Sequence, residues 1–165
     1  MKTAYDVLQK NPEFIEWKAH NSHYSLIHCF FMQDKQFKNE WHFGFYNKDD
    51  ESIMNFIVSP LGVKKEEHQE LAKFEGQEVL PLDMSKVTIS RETAEKIIEK
   101  TIEEEQQGGA STKIFLLQHI PMIGTVWNVT AVTLTFKSLN VKIDAATGEI
   151  KLKSLNSLFD MKHKE

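Results

Sequence analysis

Cysteine is almost absent. Cys29 is the only one in 165 residues, so no internal disulfide can staple the fold, and the lone thiol fits a reducing compartment. In the run Leu26-Ile27-His28-Cys29-Phe30-Phe31-Met32 it reads as a small buried hydrophobe rather than a nucleophile. No segment reaches the roughly 20 apolar residues that span a bilayer, so membrane insertion is not expected. The N-terminus, Met1-Lys2-Thr3-Ala4-Tyr5-Asp6, lacks the apolar stretch of a secretory signal. Taken as it stands the sequence reads as cytoplasmic, although an exported protein whose leader had been removed would read the same way. Nor is there an excess of positive charge: 20 basic against 24 acidic residues leave a net charge of -4. Without a cationic field to hold phosphate backbones, nucleic acid is not an expected partner.

Catalytic signatures are missing too. The chain has no Gly-x-Ser-x-Gly, no Cys-x-x-Cys, no His-Glu-x-x-His and no phosphate-cradling glycine loop. Gly108-Gly109 follows a predicted helix, where glycine serves as a cap, instead of preceding one. Glu103-Glu104-Glu105 lies at the negative pole of that helix and reads as a solvated end. No catalytic residue, cofactor or metal ligand set is therefore predicted. What is present is 41% hydrophobic residues with 11 Phe and 3 Trp, enough for a substantial core in one domain or two small ones.

Read in order, Thr3 is expected to cap a first helix with Asp6 in its first turn and Val7, Leu8, Phe14, Ile15 and Trp17 on an apolar side, kinked or split by Pro12. Strands are predicted at 24–32, 40–46 and 52–58, with turn chemistry in Gln33-Asp34-Lys35 and Asn47-Lys48-Asp49-Asp50. A charged stretch from Lys64 to Glu75, with Leu71, Ala72 and Phe74 as anchors and Gly76 after it, is expected to form a short connecting helix. Pro81 marks a boundary. Ser90 is a good N-cap for a second helix carrying Ala94, Ile97, Ile98, Thr101 and Ile102, stopped by Gln106-Gln107-Gly108-Gly109. Four more strands are predicted at 113–119, 125–136, 139–144 and 149–155.

The two halves share an order of elements. An offset of 86 residues sets Trp41 on Trp127, Ser52 on Ser138, Ile57 on Ile143 and Gly62 on Gly148, with Ile53, Asn55 and Ile57 falling where Leu139, Val141 and Ile143 fall. The predicted class is thus α+β, as two tandem units each with a helix on a small antiparallel sheet: 1–63 with three strands, 64–87 as connecting helix and linker, and 88–165 with four. Two such half-buried sheets are expected to cover their remaining apolar surface against one another.

The second unit carries a family resemblance. Its amphipathic helix, its Trp127-Asn128-Val129 strand and the run Asn140-Val141-Lys142-Ile143-Asp144-Ala145-Ala146-Thr147-Gly148-Glu149-Ile150 resemble a PepSY module, in which an Asp-Ala-x-Thr-Gly hairpin joins the last strands. Residues 88–155 match well and 3–63 loosely; the first unit has Val58-Ser59-Pro60-Leu61-Gly62 at the turn and keeps only the glycine. The resemblance implies a non-enzymatic interaction or regulatory module, one that restrains a peptidase or binds an extended peptide at a sheet edge. The alternative is a small-molecule binding protein with an aromatic pocket between helix and sheet, taking an apolar ligand.

Two residue clusters stand out. His20, His23, His28 and His42, with Cys29, form the one group worth testing as a metal site, with His28 and His42 facing each other across strands. Phe30, Phe31, Trp41, Phe43, Phe45 and Phe56 crowd the first sheet, and strict alternation cannot bury both Phe30 and Phe31 on one face. Core filling is the expected use of these rings, and an aromatic patch left for a partner is the alternative.

Overall fold

A computed structural model describes residues 2–34, 39–68 and 78–159. The chain is α+β: three α-helices lie over one antiparallel sheet of eight strands among the described residues. The first helix, α1 (Lys2–Lys10), already includes Thr3, so Thr3 is not its cap. Asn11 then ends it and caps α2 (Pro12–His20), its Oδ1 accepting from the Phe14 N–H at 3.0 Å. Proline at the first helical position has no N–H to leave unmet, which is why the chain restarts there. Of the expected apolar side, Leu8, Phe14 and Trp17 are buried, whereas Val7 and Ile15 are exposed.

Strands β1 (Ser25–Gln33), β2 (Trp41–Tyr46), β3 (Ile53–Ser59) and β4 (Gly62–His68) form one meander. Helix α3 (Arg91–Glu104), capped by Ser90, precedes a second meander of β5 (Ala110–Ile120), β6 (Gly124–Thr133), β7 (Lys137–Asp144) and β8 (Ile150–Ser157). The sheet order is β4-β3-β2-β1-β5-β6-β7-β8. Two expectations are corrected here. The halves do not stack face to face, because β1 pairs edge to edge with β5 and the sheet runs on without a break. The connecting helix is not formed over Lys64–His68, which is strand β4; the rest of that stretch, through Glu75, lies outside the described residues. The first meander therefore has four strands and extends past residue 63.

The three described helices pack on one side of the sheet. Tyr5, Phe14 and Trp17 meet Phe43, Phe45 and Phe56 with ring centres 5.0–5.6 Å apart. Ala94, Ile98 and Ile102 of α3 join the same cluster with Trp127, Val129, Leu139, Val141 and Ile143. At the junction of the halves, the Arg91 guanidinium lies 4.8 Å from the Phe31 ring centre and 5.5 Å from that of Phe115. It bonds Glu95 at 2.8 Å, and Lys113 of β5 reaches Glu95 at 2.9 Å and Glu99 at 2.6 Å. Burial pushes the Glu95 carboxyl up, but hydrogen bonds from Lys113 and Gln33 and the neighbouring cations outweigh it and hold it below the usual range. These contacts pin α3 over the β1–β5 seam.

The Asp144–Gly148 turn has a structural role. Asp144 Oδ1 accepts the N–H groups of Ala146 and Thr147 at 2.9 Å, and Gly148 sits at φ +80°. The carbonyl of buried Ala145 receives the N–H groups of Thr88 and Ile89, which fixes the approach to α3. In the first half, Asn47 and Asp50 likewise accept backbone N–H groups two residues on, forming the β2–β3 turn.

Trp41 and Trp127 occupy the second strand of their meanders, both facing the helices, with ring centres 6.4 Å apart. The offset slips between them and the next strands. Trp41 pairs with Val58 and Trp127 with Ile143, so an offset of 127 − 41 = 86 becomes 143 − 58 = 85. The helix-facing residues of β3 are consequently Met54, Phe56 and Val58, and the set Ile53, Asn55 and Ile57 points the other way. A slip of one residue inverts a strand.

Candidate functional site

The opposite face of the sheet carries no helix among the described residues. Alternation places Cys29 and Phe31 toward the helices and His28, Phe30 and Met32 away from them. Burial follows: Cys29 and Phe31 are core residues, whereas Phe30 and Met32 are half-buried. The paired strand β5 adds Ile114 beside Met32 and Leu116 beside Phe30, both half-buried. Ile57 lies beyond His42 on the same row. The apolar centre of this face thus straddles the β1–β5 seam.

Polar groups frame it. On one flank, Asn140 Nδ2 donates to Asn128 Oδ1 at 2.7 Å and Thr130 Oγ1 at 2.9 Å, and Lys142 Nζ donates to Asn140 Oδ1 at 3.1 Å. On the other, a row crosses β4 to β5 as Glu66, Asn55, Gly44, His28 and Gln118. Gly44 has a specific reason to be glycine: a Cβ there would lie 2.2 Å from His28 Cε1, because the imidazole rests across the bare backbone. Burial, and secondarily the charge of His42, lower the His28 pKa to about 4, so the ring is neutral at pH 7. The Oδ1 of Asn55 is buried and without a hydrogen-bond partner among the described residues. An acceptor left unmet in this way costs stability.

The histidine group singled out in the sequence is dispersed. His20 sits at the end of α2, its Nδ1 against the Glu16 carbonyl at 2.9 Å, and His23 lies in the following turn beside Tyr24. Cys29 faces the helices, on the opposite side of the sheet from His28 and His42, and burial pushes its thiol pKa up. His28 pairs with Gly44 and His42 with Phe30, so the two histidines are diagonal neighbours rather than opposed. Among the described residues no three potential ligands converge. The sequence carries a signal for this face: the Gly in the middle of Trp41-His42-Phe43-Gly44-Phe45-Tyr46 marks a close approach by a neighbouring side chain.

Two clefts among the described residues have walls of mixed polar and apolar character. One of about 650 Å³ lies between the end of α3 and the start of β5, lined by Glu99, Glu103, Gln106 and Lys113. Another of about 290 Å³ lies at the β3–β4 hairpin, lined by Glu40, Ile57, Lys64 and Glu66. Neither is lined by an aromatic ring. No helix among the described residues is long and apolar enough to cross a membrane. Comparison of the chain with protein-family models, curated proteins and solved structures finds no match.

Proposed function

We propose that this chain is a non-enzymatic interaction module of two PepSY-like units joined side by side, and that it engages a protein partner through the face of its sheet opposite α1, α2 and α3. The observation that carries this reading is the placement of Phe30, Met32, Ile114 and Leu116, half-exposed at the centre of that face and framed by Asn128, Asn140, Lys142 and Gln118. An apolar centre inside a polar rim is the anatomy of a protein interface. The two-unit reading is supported by the two four-stranded meanders, by the paired positions of Trp41 and Trp127 and by the Asp144–Gly148 hairpin. Restraint of a peptidase, the role the resemblance implies, is one form such engagement takes. The small-molecule alternative asks for an aromatic cavity between helix and sheet, and the tilted and edge-on rings of Tyr5, Phe14, Trp17, Phe43, Phe45 and Phe56 occupy that space.

A photo-crosslinking amino acid at Phe30 or Leu116, compared with one at Val7 or Ile15 on the helix side, tests the surface directly. Adducts with one discrete protein are expected from positions 30 and 116 and not from 7 and 15. Equal labelling from all four positions would refute the assignment of the face.

A further inference from the structure

The two edges of the sheet differ in how they are guarded. An edge strand shows a row of unpaired backbone N–H and C=O groups, which proteins usually protect with charge, proline or a bulge. Strand β4 carries Lys64, Lys65 and Glu66 in succession. Strand β8 reads Ile-Lys-Leu-Lys-Ser-Leu-Asn-Ser, and both of its lysines are already engaged: Lys153 with Glu105 at the end of α3, and Lys151 with Glu149 at 2.6 Å and Asp144 at 3.8 Å. A bulge at Lys151 interrupts the pairing, leaving residues from Leu152 onward regular. Proline and acidic residues are absent from it. Leu152 is 50% exposed, and at the far end of the strand Phe136 and Phe159, 63% and 69% exposed, meet as a tilted pair with ring centres 5.9 Å apart.

We propose that β8 is the interface of a homodimer in which the β8 strands of two copies pair antiparallel about a two-fold axis at Leu155, extending the sheet across both. Symmetry restricts the register, since a two-fold perpendicular to the sheet pairs only residues on the same face. An axis at Lys153 sets lysine against lysine, and one at Ser154 sets Leu152 against Asn156. The axis at Leu155 matches like with like: Leu155 meets itself, Ser154 meets Asn156, Lys153 meets Ser157, and Leu152 meets Leu158. Leu158 continues the ladder, its N–H donating to the Phe136 carbonyl at 3.1 Å. Each exposed Leu152 is thereby brought to the Phe136–Phe159 pair of the other copy, covering apolar surface that a single chain leaves in water.

Sedimentation equilibrium over a wide concentration range tests this, with thermal melts to confirm folding. Ser154 and Asn156 are both exposed, so substitutions there leave the core intact. The parent is expected to show a concentration-dependent dimer. Ser154→Lys with Asn156→Lys places lysines opposite one another twice and should weaken dimerisation at least about tenfold. Ser154→Lys with Asn156→Glu places opposite charges together and should keep the dimer. A parent that stays monomeric throughout overturns the proposal, and so do two double variants that dimerise equally well.

Discussion

Replacing Trp127 with alanine is expected to cost about 3–5 kcal/mol, the range for removing a large buried aromatic. Trp127 has no exposed surface, and its indole Nε1–H donates to the Ile89 carbonyl at 3.0 Å. The substitution therefore opens a cavity and also strands a carbonyl in the segment that leads into α3, where only local rearrangement or water can recover the bond. Trp127 also meets Trp41 across the sheet, so the loss is felt in both meanders. At roughly 2–4 °C per kcal/mol for a chain of this size, the melting temperature should fall by about 6–20 °C. Trp127→Phe, which keeps most of the ring volume, should fall by less than half as much. A Trp127→Ala protein that melts with the parent would show that the tryptophan is not a keystone of the core.

The second large effect is expected at Gly44. A methyl group there meets the His28 imidazole at 2.2–2.8 Å, a distance no side chain tolerates. Gly44→Ala should destabilise by about 1–3 kcal/mol, the usual cost of overpacking. Because the obstacle is a side chain and not the backbone, His28→Ala should relieve it. The double variant is thus expected to be markedly more stable than the sum of the single changes allows, and strict additivity would deny the contact. The same histidine gives the protein an acid limit. Its pKa, about 4 when folded, lies below its ordinary value of 6.5 when unfolded, so its contribution is intact above about pH 6.5 and is lost as the pH falls toward 4. Denaturant midpoints measured between pH 7 and 4 should decline less steeply in His28→Ala than in the parent.

Much of the fold was legible in the sequence because its signals are local. Ser90 caps α3, Asn47 and Asp50 close their turn, Asp144 to Gly148 fold as their hairpin chemistry dictates, and alternation in Leu139, Val141 and Ile143 marks a strand with one buried face. Other features have no local signature. Strand β4 lies at an edge, where Lys64, Lys65 and Glu66 remain in water, so it shows none of the apolar alternation that identifies a strand and reads as a charged helix. The β1–β5 pairing joins segments about 85 residues apart in sequence, and nothing in either strand names its neighbour. That pairing also decides the fate of Phe30 and Phe31. Either could have been the core residue, and only the register sends Phe31 to the helices and leaves Phe30 on the opposite face. In sequence the histidines cluster as metal ligands would, whereas in the fold His28 is placed by a glycine in the next strand.

The most direct test of the face opposite the helices as the working surface is the affinity of the crosslinked partner for Leu116→Lys. Leu116 is half-buried at the centre of the face, beside Phe30, and it lies on the other side of the sheet from its neighbours Phe115 and Leu117, which face the helix-side core. A lysine there can lift its ammonium into water in the free protein but must be desolvated beneath a partner. Binding measured by calorimetry is expected to weaken at least about tenfold, while the melting temperature stays close to that of the parent. Undiminished binding by a folded Leu116→Lys protein would contradict the assignment of this face.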